Sequence, residues 1–419
     1  MQVSVIHAKK KINMKKNYIY ILLAGCLLTT LLNACKKQEI TTFNKVSIPT
    51  SSPIAPGNIS GFVKGTLLTG QTYTVTGDIT VKKGDTLASQ PGAIVIVKNN
   101  SQFNIQGVLQ LLGSKDQPIS FNSDLNKPGT WGGFQADSAQ AITIKWTHVD
   151  NTGGPDASGS ARRTLIVNKA IPVDIEDSWF TNGQDDLMGL FQAKITILRN
   201  TISSSGSTDG EGMNIKSGAT GVVAYNVIFS QAGSGVKLET SPSVPFPQTE
   251  VDVYNNTFVS NGWRRGSAEP GRAVSVGVNA IGHIYNNIIV NCYHGIEIFN
   301  DADLVKTTYG NNLFYATVDT YADLKIPTQQ INIRDNFYPA SGMGKPQSTD
   351  LISTKVGVFD PMFVKFDGTV AAPNGYPNTN DFTLQNGSPG YGRGNTNFHN
   401  GLGNQDMGAY TTDGKGNQH

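Results

Sequence analysis

The residues of this sequence best suited to chemistry are lysines and glutamates at alternate positions of short apolar segments. Segments 235–239 (GVKLE) and 295–299 (GIEIF) alternate apolar and polar residues, which is the pattern of a β-strand with one buried face. Segments of this kind, stacked in register, present two outward rows of side chains. The first row is Asn214, Lys237, Ser275 and Glu297, and the second is Lys216, Glu239, Gly277 and Phe299.

Two long loops, 240–250 and 260–272, flank these rows, and long loops on a rigid scaffold often carry function. The second loop supplies a tryptophan and three arginines. A tryptophan ring can stack on a sugar ring, and a guanidinium can hold a carboxylate or sulfate through two parallel hydrogen bonds. The face is therefore predicted to bind an acidic polysaccharide. The predicted substrate-binding residues are Trp263, Arg264, Arg265, Arg272, Glu239, Glu297 and Phe299.

The same residues also have a simpler interpretation, in which lysines and glutamates form cross-strand ion pairs on a solvated sheet face. Hydrolysis of a glycosidic bond needs two carboxyl groups across a groove. Candidates by residue type alone are Asp185, Asp186, Asp209 and Glu211. His148 and His294 have no partner at metal-ligand spacing, and the sequence contains no P-loop, HExxH or GxSxG motif. No metal site and no cofactor are expected.

A repeated asparagine indicates what holds the segments in register. It recurs, with an apolar residue two positions later, in steps of 24 to 31 residues, and weaker repeats lie at 147–149 and 178–180. A constant motif on a variable period indicates one structural unit per repeat, with loops of different length. Asparagine tolerates the left-handed conformation at a bend, and stacked amides can hydrogen-bond in a ladder. The repeated residues are Asn200, Asn226, Asn256, Asn287, Asn312 and Asn336.

Each repeat contains three short strands and no helical period, which predicts a coil of three parallel sheets with turns ~4.8 Å apart. This pattern resembles the right-handed parallel β-helix repeat proteins, the superfamily that includes the pectate lyases. The resemblance implies an all-β fold with a parallel β-helix over residues 61–341 and a C-terminal end or cap segment over 342–419. In related lyases the outer face of one sheet forms the groove for an acidic polysaccharide, so the resemblance implies binding of such a polymer or its cleavage by β-elimination.

β-Elimination needs a base, and a cation or Ca²⁺ that neutralises the uronate carboxylate. Lys216 and Lys237 are the candidate catalytic residues. Segment 214–217 (NIKS) is similar to the Lys-Ser strand of chondroitinase B-like and alginate lyases, but Glu239 stands where that family has an arginine. The calcium-binding aspartates of pectate lyases are absent from the two rows, so Ca²⁺ has no support. If the protein is an enzyme, a polysaccharide lyase is expected before a glycoside hydrolase; the alternative is a non-enzymatic surface or adhesion solenoid that binds a protein partner.

Residues 1–34 predict a lipoprotein signal peptide. Five lysines and no acidic residue precede the apolar run 19–32, which is too short to span a bilayer. Segment 32–35 (LNAC) is similar to a bacterial lipobox with Cys35 as the lipidated residue, although a cleaved export signal that contains a cysteine is an alternative. Met1 and Met14 both fit as the start of translation. Residues 35–60, rich in Ser, Thr and Pro, predict an extended stalk.

These features predict a cell-envelope protein held to the outer membrane by lipid, on a face that the sequence leaves open. The chain has 33 basic and 31 acidic residues, and removal of the five lysines of the signal leaves 28 against 31, a net charge of −3. No basic surface for nucleic acid is expected. Apart from Cys35, the mature chain has one cysteine, Cys292, so no internal disulfide is expected. The expected partners are an acidic polysaccharide and the membrane, and the protein is expected to be a monomer.

Overall fold

The computed structural model describes residues 52–241, 246–370 and 379–419. The predicted signal peptide 1–34, Cys35 and most of the predicted stalk lie outside these residues. Strand β1 (Gly57–Phe62) already belongs to the folded body and pairs in parallel with β3 (Thr72–Val81). Within the described residues, no helix is long and apolar enough to cross a membrane.

In the described part of the chain, three parallel sheets run along the coil, as predicted. Sheet A contains β2 (Gly65–Leu67), β4 (Thr86–Ser89), β7 (Val108–Leu112), β10 (Ala141–Lys145), β13 (Pro172–Glu176), β16 (Lys194–Leu198), β19 (Thr220–Ala224), β22 (Glu250–Tyr254), β25 (Ile281–Tyr285) and β28 (Thr308–Gly310). Sheet B contains β5 (Ile94–Val97), β8 (Ile119–Ser123), β11 (Thr147–Asp150), β14 (Trp179–Gly183), β17 (Thr201–Ser204), β20 (Val227–Phe229), β23 (Thr257–Val259), β26 (Ile288–Val290) and β29 (Leu313–Tyr315). Sheet C contains β6 (Phe103–Ile105), β9 (Phe134–Gln135), β12 (Leu165–Asn168), β15 (Met188–Phe191), β18 (Met213–Lys216), β21 (Val236–Glu239), β24 (Arg272–Val276) and β27 (His294–Ile298).

The long strand β3 joins sheets B and C because its first half pairs with β5 and its second half with β6. Two antiparallel hairpins lie after the coil. They are β30 (Thr320–Ala322) with β31 (Gln330–Asn332), and β32 (Phe363–Lys365) with β33 (Asp381–Leu384). The helical content of the described residues is two short 3₁₀ helices, Arg334–Asn336 and His399–Gly401.

Apolar residues at alternate strand positions fill the interior, and identical positions stack from coil to coil. Burying one such side chain is worth roughly 1.5–3 kcal/mol, so the continuous stack is the main source of stability. One file on sheet A consists of Ile144, Ile175, Ile197, Val223, Val253 and Ile284, all 0% exposed. Cys292 is buried as well, and burial raises the pKa of its thiol to about 12.

The predicted asparagine ladder is confirmed from Asn200 to Asn312. Each side-chain amide donates from Nδ2 to Oδ1 of the next asparagine over 2.9–3.1 Å, and the same Oδ1 accepts a backbone N–H. The two weaker repeats continue the ladder, since Ser178 N–H donates to Asn200 Oδ1 and Thr147 N–H donates to Ser178 Oγ. Hydrogen bonds along the coil axis therefore lock the turn between sheets A and B.

Two details of the predicted ladder are wrong. Asn336 lies in a 3₁₀ helix and donates to Asn332 O instead, while Asp350 accepts the N–H of Asn312 and ends the ladder. The residue with a left-handed backbone conformation is also the one before the ladder asparagine, not the asparagine itself as predicted. The asparagine therefore supplies the hydrogen bonds, and the residue before it forms the bend. The left-handed residues, with φ between 48° and 59°, are Trp146, Asp177, Arg199, Tyr225, Asn255, Asn286 and Asn311.

The C-terminal region packs on the coil in two ways. Residues near the end of the solenoid cover its last edge, since Leu351 bridges Leu313 and Met343 N–H donates to Ile298 O. Segment 379–419 instead lies along the flank of the coil. There, Gly408 N–H donates to Asn286 O over 2.8 Å. This flank contact brings C-terminal side chains onto the outer faces of sheets A and B.

Candidate functional site

The outer face of sheet C has the register predicted from the sequence. Lys237 lies opposite both Asn214 and Ser275, and Ser275 lies opposite Glu297. Loops nevertheless cover most of this first row: Asn214, Ser275 and Glu297 are 7%, 3% and 0% exposed. The first row is thus mostly covered and is not an open binding surface.

The two candidate catalytic lysines share one carboxylate. Lys216 Nζ lies 2.7 Å from Glu239 Oε2, and Lys237 Nζ lies 3.4 Å from Glu239 Oε1, with all three side chains about a quarter exposed. Both ammonium groups are therefore in contact with a carboxylate of the protein itself. The contacts are those of the simpler interpretation, cross-strand ion pairs, and the catalytic role of both lysines stays a prediction.

Trp263 and Arg264 are buried, so their predicted position on the surface is wrong, and their predicted binding roles stay untested. Trp263 is 1% exposed, packs against Tyr293 and Tyr321, and donates from Nε1 to Asn291 O. Arg264 is 7% exposed. Its guanidinium donates to oxygen atoms of Ser204, Ser207 and Ser230, and burial lowers its pKa to about 10. The loop folds these side chains inward because they fill the space beside sheets B and C.

The remaining predicted arginines hold acidic residues of the protein itself. Arg265 pairs with Asp209, Glu211 and Glu269, and its side chain is 13% exposed. Arg272 pairs with Glu297 and lies over the ring of Phe299 at 5.1 Å. Neither guanidinium is presented as the free anion-binding fork that the sequence suggested.

Glu297 is a buried structural carboxylate, contrary to its predicted place on an exposed face. Ser341 Oγ donates to it, and the adjoining Gly342 lies against its side chain. Although burial raises its pKa, hydrogen bonds from His294 and Ser341 and the charge of Arg272 outweigh burial and lower the pKa to about 2. The segment after the 3₁₀ helix Arg334–Asn336 covers it, which strand alternation alone does not reveal.

Two of the acids considered by residue type meet at the edge of sheet C. Asp186 and Glu211 are 2% and 3% exposed, and their side chains are hydrogen-bonded to each other. Burial, with the neighbouring Asp186 carboxylate, raises the pKa of Glu211 to about 8. Burial also opposes ionisation of Asp186, but the hydrogen bond from Glu211 and the charge of Arg163, at 2.7 Å, lower its pKa. Within the pair, the surroundings therefore favour the protonated form of Glu211 and the ionised form of Asp186.

A groove runs over the outer face of sheet B, where no site was predicted from the sequence. Its cavity is about 690 Å³, within the usual range for ligand sites. Strands β11, β14, β17 and β20 form the floor, and segment 379–419 forms one wall. The lining residues are Asn126, Pro128, His148, Asp150, Asn151, Trp179, Thr181, Asn182, Thr201, Ser205, Val227, Phe229, Asn380, Phe382, Tyr410 and His419.

The groove combines aromatic rings with mostly uncharged polar groups. His148 lies parallel to Trp179 with ring centroids 4.0 Å apart. Asp150 is the one carboxylic acid in the lining, and burial raises its pKa to about 6. In the wall, Asn380 Nδ2 is buried without a hydrogen-bond partner among the described residues. The arrangement suits a ligand that offers hydroxyl groups and apolar ring faces.

The comparison with known families bears on the fold. Residues 132–314 match the family model described as the right handed beta helix region. The protein is a right-handed parallel β-helix. No curated protein matches the chain. A β-helix supports polysaccharide binding, lyase-like chemistry or a scaffold role in general, and side chains have to distinguish these functions.

This β-helix also brings together one potential metal-binding group within the described ranges: Glu250, His283 and His399, whose ligand atoms all lie within 4.8 Å of one another. The sequence missed the group because these residues are far apart in the chain. It missed the groove for a similar reason. His148 and Trp179 occupy outward strand positions that alternation could have indicated, but the opposite wall comes from the C-terminal segment.

Proposed function

We propose that the protein binds a polysaccharide in the groove over sheet B. The observation that carries the proposal is the lining: a long open cavity with aromatic rings, amides and hydroxyls, one carboxyl group, and neither lysine nor arginine. Sugar rings offer hydroxyls to the polar groups and C–H faces to the aromatic rings. Since the groove lacks a cation, a neutral polysaccharide fits it better than a polyuronate.

Binding is favoured over cleavage. Glycoside hydrolysis uses two carboxyl groups that flank the bond, and the groove lining supplies only Asp150. β-Elimination needs a base that can reach the substrate proton, and both candidate lysines are in contact with Glu239 instead. The buried pair of Asp186 and Glu211 is engaged with two arginines. These contacts support a carbohydrate-binding role.

A second candidate is binding of an acidic polysaccharide on the exposed part of sheet C. The observation that favours it is the neighbouring pair Lys216 and Lys237, which places two ammonium groups against one carboxylate. A sulfate or uronate carboxylate could bind the side of these ammonium groups that faces solvent.

One experiment separates the candidates. Affinity electrophoresis compares the protein in gels that contain neutral, uronate-rich or sulfated polysaccharides. If a neutral polymer retards the protein, and if Trp179→Ala weakens the affinity for that polymer about tenfold, a loss of about 1.4 kcal/mol, the result supports binding in the groove over sheet B. Phe62→Ala, which removes an exposed aromatic ring outside the groove lining, is the control.

Retardation by acidic polymers alone, lost in the Lys216→Ala/Lys237→Ala double variant, supports sheet C. The absence of retardation in every gel refutes both glycan proposals and leaves the adhesion solenoid. Reducing-end and ultraviolet assays for unsaturated products on the same polymers test cleavage, and a positive result contradicts a purely binding role.

We also propose that Cys35 anchors the protein to a membrane of the cell envelope. The support is the apolar run followed by the lipobox-like segment 32–35. Fractionation of wild type and Cys35→Ser tests it. Equal recovery of both proteins in the membrane fraction contradicts the lipid anchor.

A further inference from the structure

The outer face of sheet A carries a cluster of histidine and acidic side chains. Glu250 opens β22, and Asp252 lies on the same face of that strand. His283 on β25 is in register with Asp252. His399 comes from the C-terminal segment, where the adjacent Phe398 packs against sheet A and positions the 3₁₀ helix.

Hydrogen bonds orient both imidazole rings. His283 Nδ1 lies 2.8 Å from Thr308 Oγ1, and His399 Nδ1 lies 2.6 Å from Asp252 Oδ1. Both Nε2 atoms are thereby directed to the same carboxylate oxygen, Glu250 Oε1, at 3.2 Å and 3.9 Å. Metal-binding histidines use this arrangement, in which the second ring nitrogen is held by a carboxylate or hydroxyl and the first is left for the ion.

We propose that Glu250, His283 and His399 bind a divalent transition-metal ion of the zinc class. Zinc binds imidazole nitrogen and carboxylate oxygen at about 2.0–2.2 Å, so tetrahedral ligand atoms lie about 3.3 Å apart. The distances to Glu250 Oε1 are close to this spacing, and a small rotation of the partly exposed His399 ring completes it. Asn400 Nδ2 lies 3.3 Å from both ring nitrogens of His399, and a bound ion would replace it at Nε2.

The charges agree with a cation site, because the carboxylates of Glu250 and Asp252 lie against the two imidazole rings. The rings stack with centroids 3.8 Å apart, which brings their nitrogen atoms into one small space. Nitrogen donors select against Ca²⁺ and Mg²⁺, which prefer oxygen. The Glu250 side chain is 45% exposed, so solvent can supply a fourth ligand.

The ion links two parts of the chain that are distant in sequence. Glu250 and His283 belong to neighbouring coils, and His399 belongs to the segment on the flank. Metal binding therefore stabilises the docking of segment 379–419, because the ion binds only when all three ligands are together. The same segment forms a wall of the groove over sheet B, so docking also shapes that groove.

The test measures binding of zinc ions to the full chain, purified without a polyhistidine tag and treated with a chelator. Calorimetric titration with ZnCl₂ is expected to give one ion per chain, and CoCl₂ an absorption spectrum of a tetrahedral ion. His399→Gln, in an exposed short helix, is expected to weaken zinc binding at least about 100-fold, and Asp252→Asn about 10–100-fold through loss of ring orientation. His294→Gln is the matched control, since His294 lies 3.3 Å from a glutamate but outside the group.

Circular dichroism verifies that each variant is folded, and the thermal midpoint of the wild type is expected to rise with ZnCl₂ while that of His399→Gln does not. The proposal is overturned if the wild type shows no saturable zinc binding, or if His399→Gln binds zinc as the wild type does. Saturable binding of CaCl₂ that His399→Gln abolishes overturns the assignment to a transition metal.

Discussion

Replacing Asn256 by alanine removes the central rung of the asparagine ladder. Its Nδ2 donates to Val223 O, Tyr254 O and Asn287 Oδ1 over 2.9–3.1 Å, and its Oδ1 accepts from the backbone and side-chain nitrogens of Asn226. Asn256 is 0% exposed, so water cannot replace these bonds. Each buried group left without a partner costs about 1–3 kcal/mol. With unpaired groups on both sides of the rung, the expected loss in free energy of unfolding is about 3–5 kcal/mol.

Asn336→Ala is the matched control, because Asn336 belongs to the same sequence repeat but lies outside the ladder. Its amide makes one bond, to Asn332 O, in a partly exposed helix, so the expected loss is about 1 kcal/mol or less. Asn256→Ser is expected to lie between the two alanine variants. Ser178 already forms a rung in this chain by accepting the N–H of Thr147, so a serine keeps the acceptor.

Guanidinium unfolding, followed by tryptophan fluorescence and by circular dichroism, measures the three variants against the wild type. Coincident transitions license the free-energy comparison. If Asn256→Ala and Asn336→Ala shift the midpoint equally, the ladder contributes nothing beyond an ordinary turn. That result would refute the reasoning that axial amide bonds hold the coils together.

Three further predictions concern buried groups. The raised pKa of Glu211 means that folded Glu211 holds its proton up to about pH 8 while the unfolded chain loses it near its ordinary value; stability is therefore expected to fall between about pH 4.5 and 8, by at most about 1.4 kcal/mol per pH unit. The thermal midpoint of Glu211→Gln should therefore not fall over this pH range. Glu269→Gln, which changes an exposed partner of Arg265, should show the same fall as the wild type. If the midpoint of Glu211→Gln falls with pH as steeply as that of the wild type, Glu211 does not hold a proton in the folded protein. The pKa of Glu297 is lowered in the folded protein, so its ionised carboxylate stabilises the fold at any pH above the ordinary pKa of about 4.5, and this contribution is lost as the pH falls from about 4.5 to about 2. Glu297→Gln should therefore be less stable than the wild type at pH 7 and equally stable in acid. A stability difference that stays constant with pH would contradict this. Trp263→Ala should lower the free energy of unfolding by about 3–5 kcal/mol in denaturant titrations, and the folded variant should bind glycan as the wild type does. Loss of glycan binding at unchanged stability would contradict the buried position of Trp263.

The sequence was most informative where the structure depends on short-range repetition. Alternation within five residues predicted the rows of sheet C, and the same register pairs Lys216 with Glu239. The asparagine period predicted the coil and its ladder, and the weaker repeats at 178–180 and 147–149 proved to continue the ladder. Both patterns repeat because every coil meets the same neighbours, above and below, at one inter-strand spacing.

The predicted site was less accurate because side chains in loops follow no period. The composition of loop 260–272 suggested a binding surface, yet Trp263 and Arg264 fold inward to fill the space beside the sheets. Glu297 occupies an outward strand position, but a segment more than forty residues later in the chain covers it. Residue type at an outward position does not predict exposure when another part of the chain packs on that face.

Local periodicity in this chain thus specified the solenoid, its three sheets and the order of residues along each face. The functional surfaces depend on contacts that only the folded chain creates. The C-terminal segment 379–419 forms one wall of the groove that contains Trp179, and it places His399 beside Glu250 and His283. Packing of neighbouring coils places Asp186 beside Glu211. The physical reason is that the ladder and the strand pairing join residues at equivalent positions of successive coils, so they follow the sequence repeat. Each of these sites joins residues at positions that are not equivalent in the repeat, so no periodic pattern predicts them.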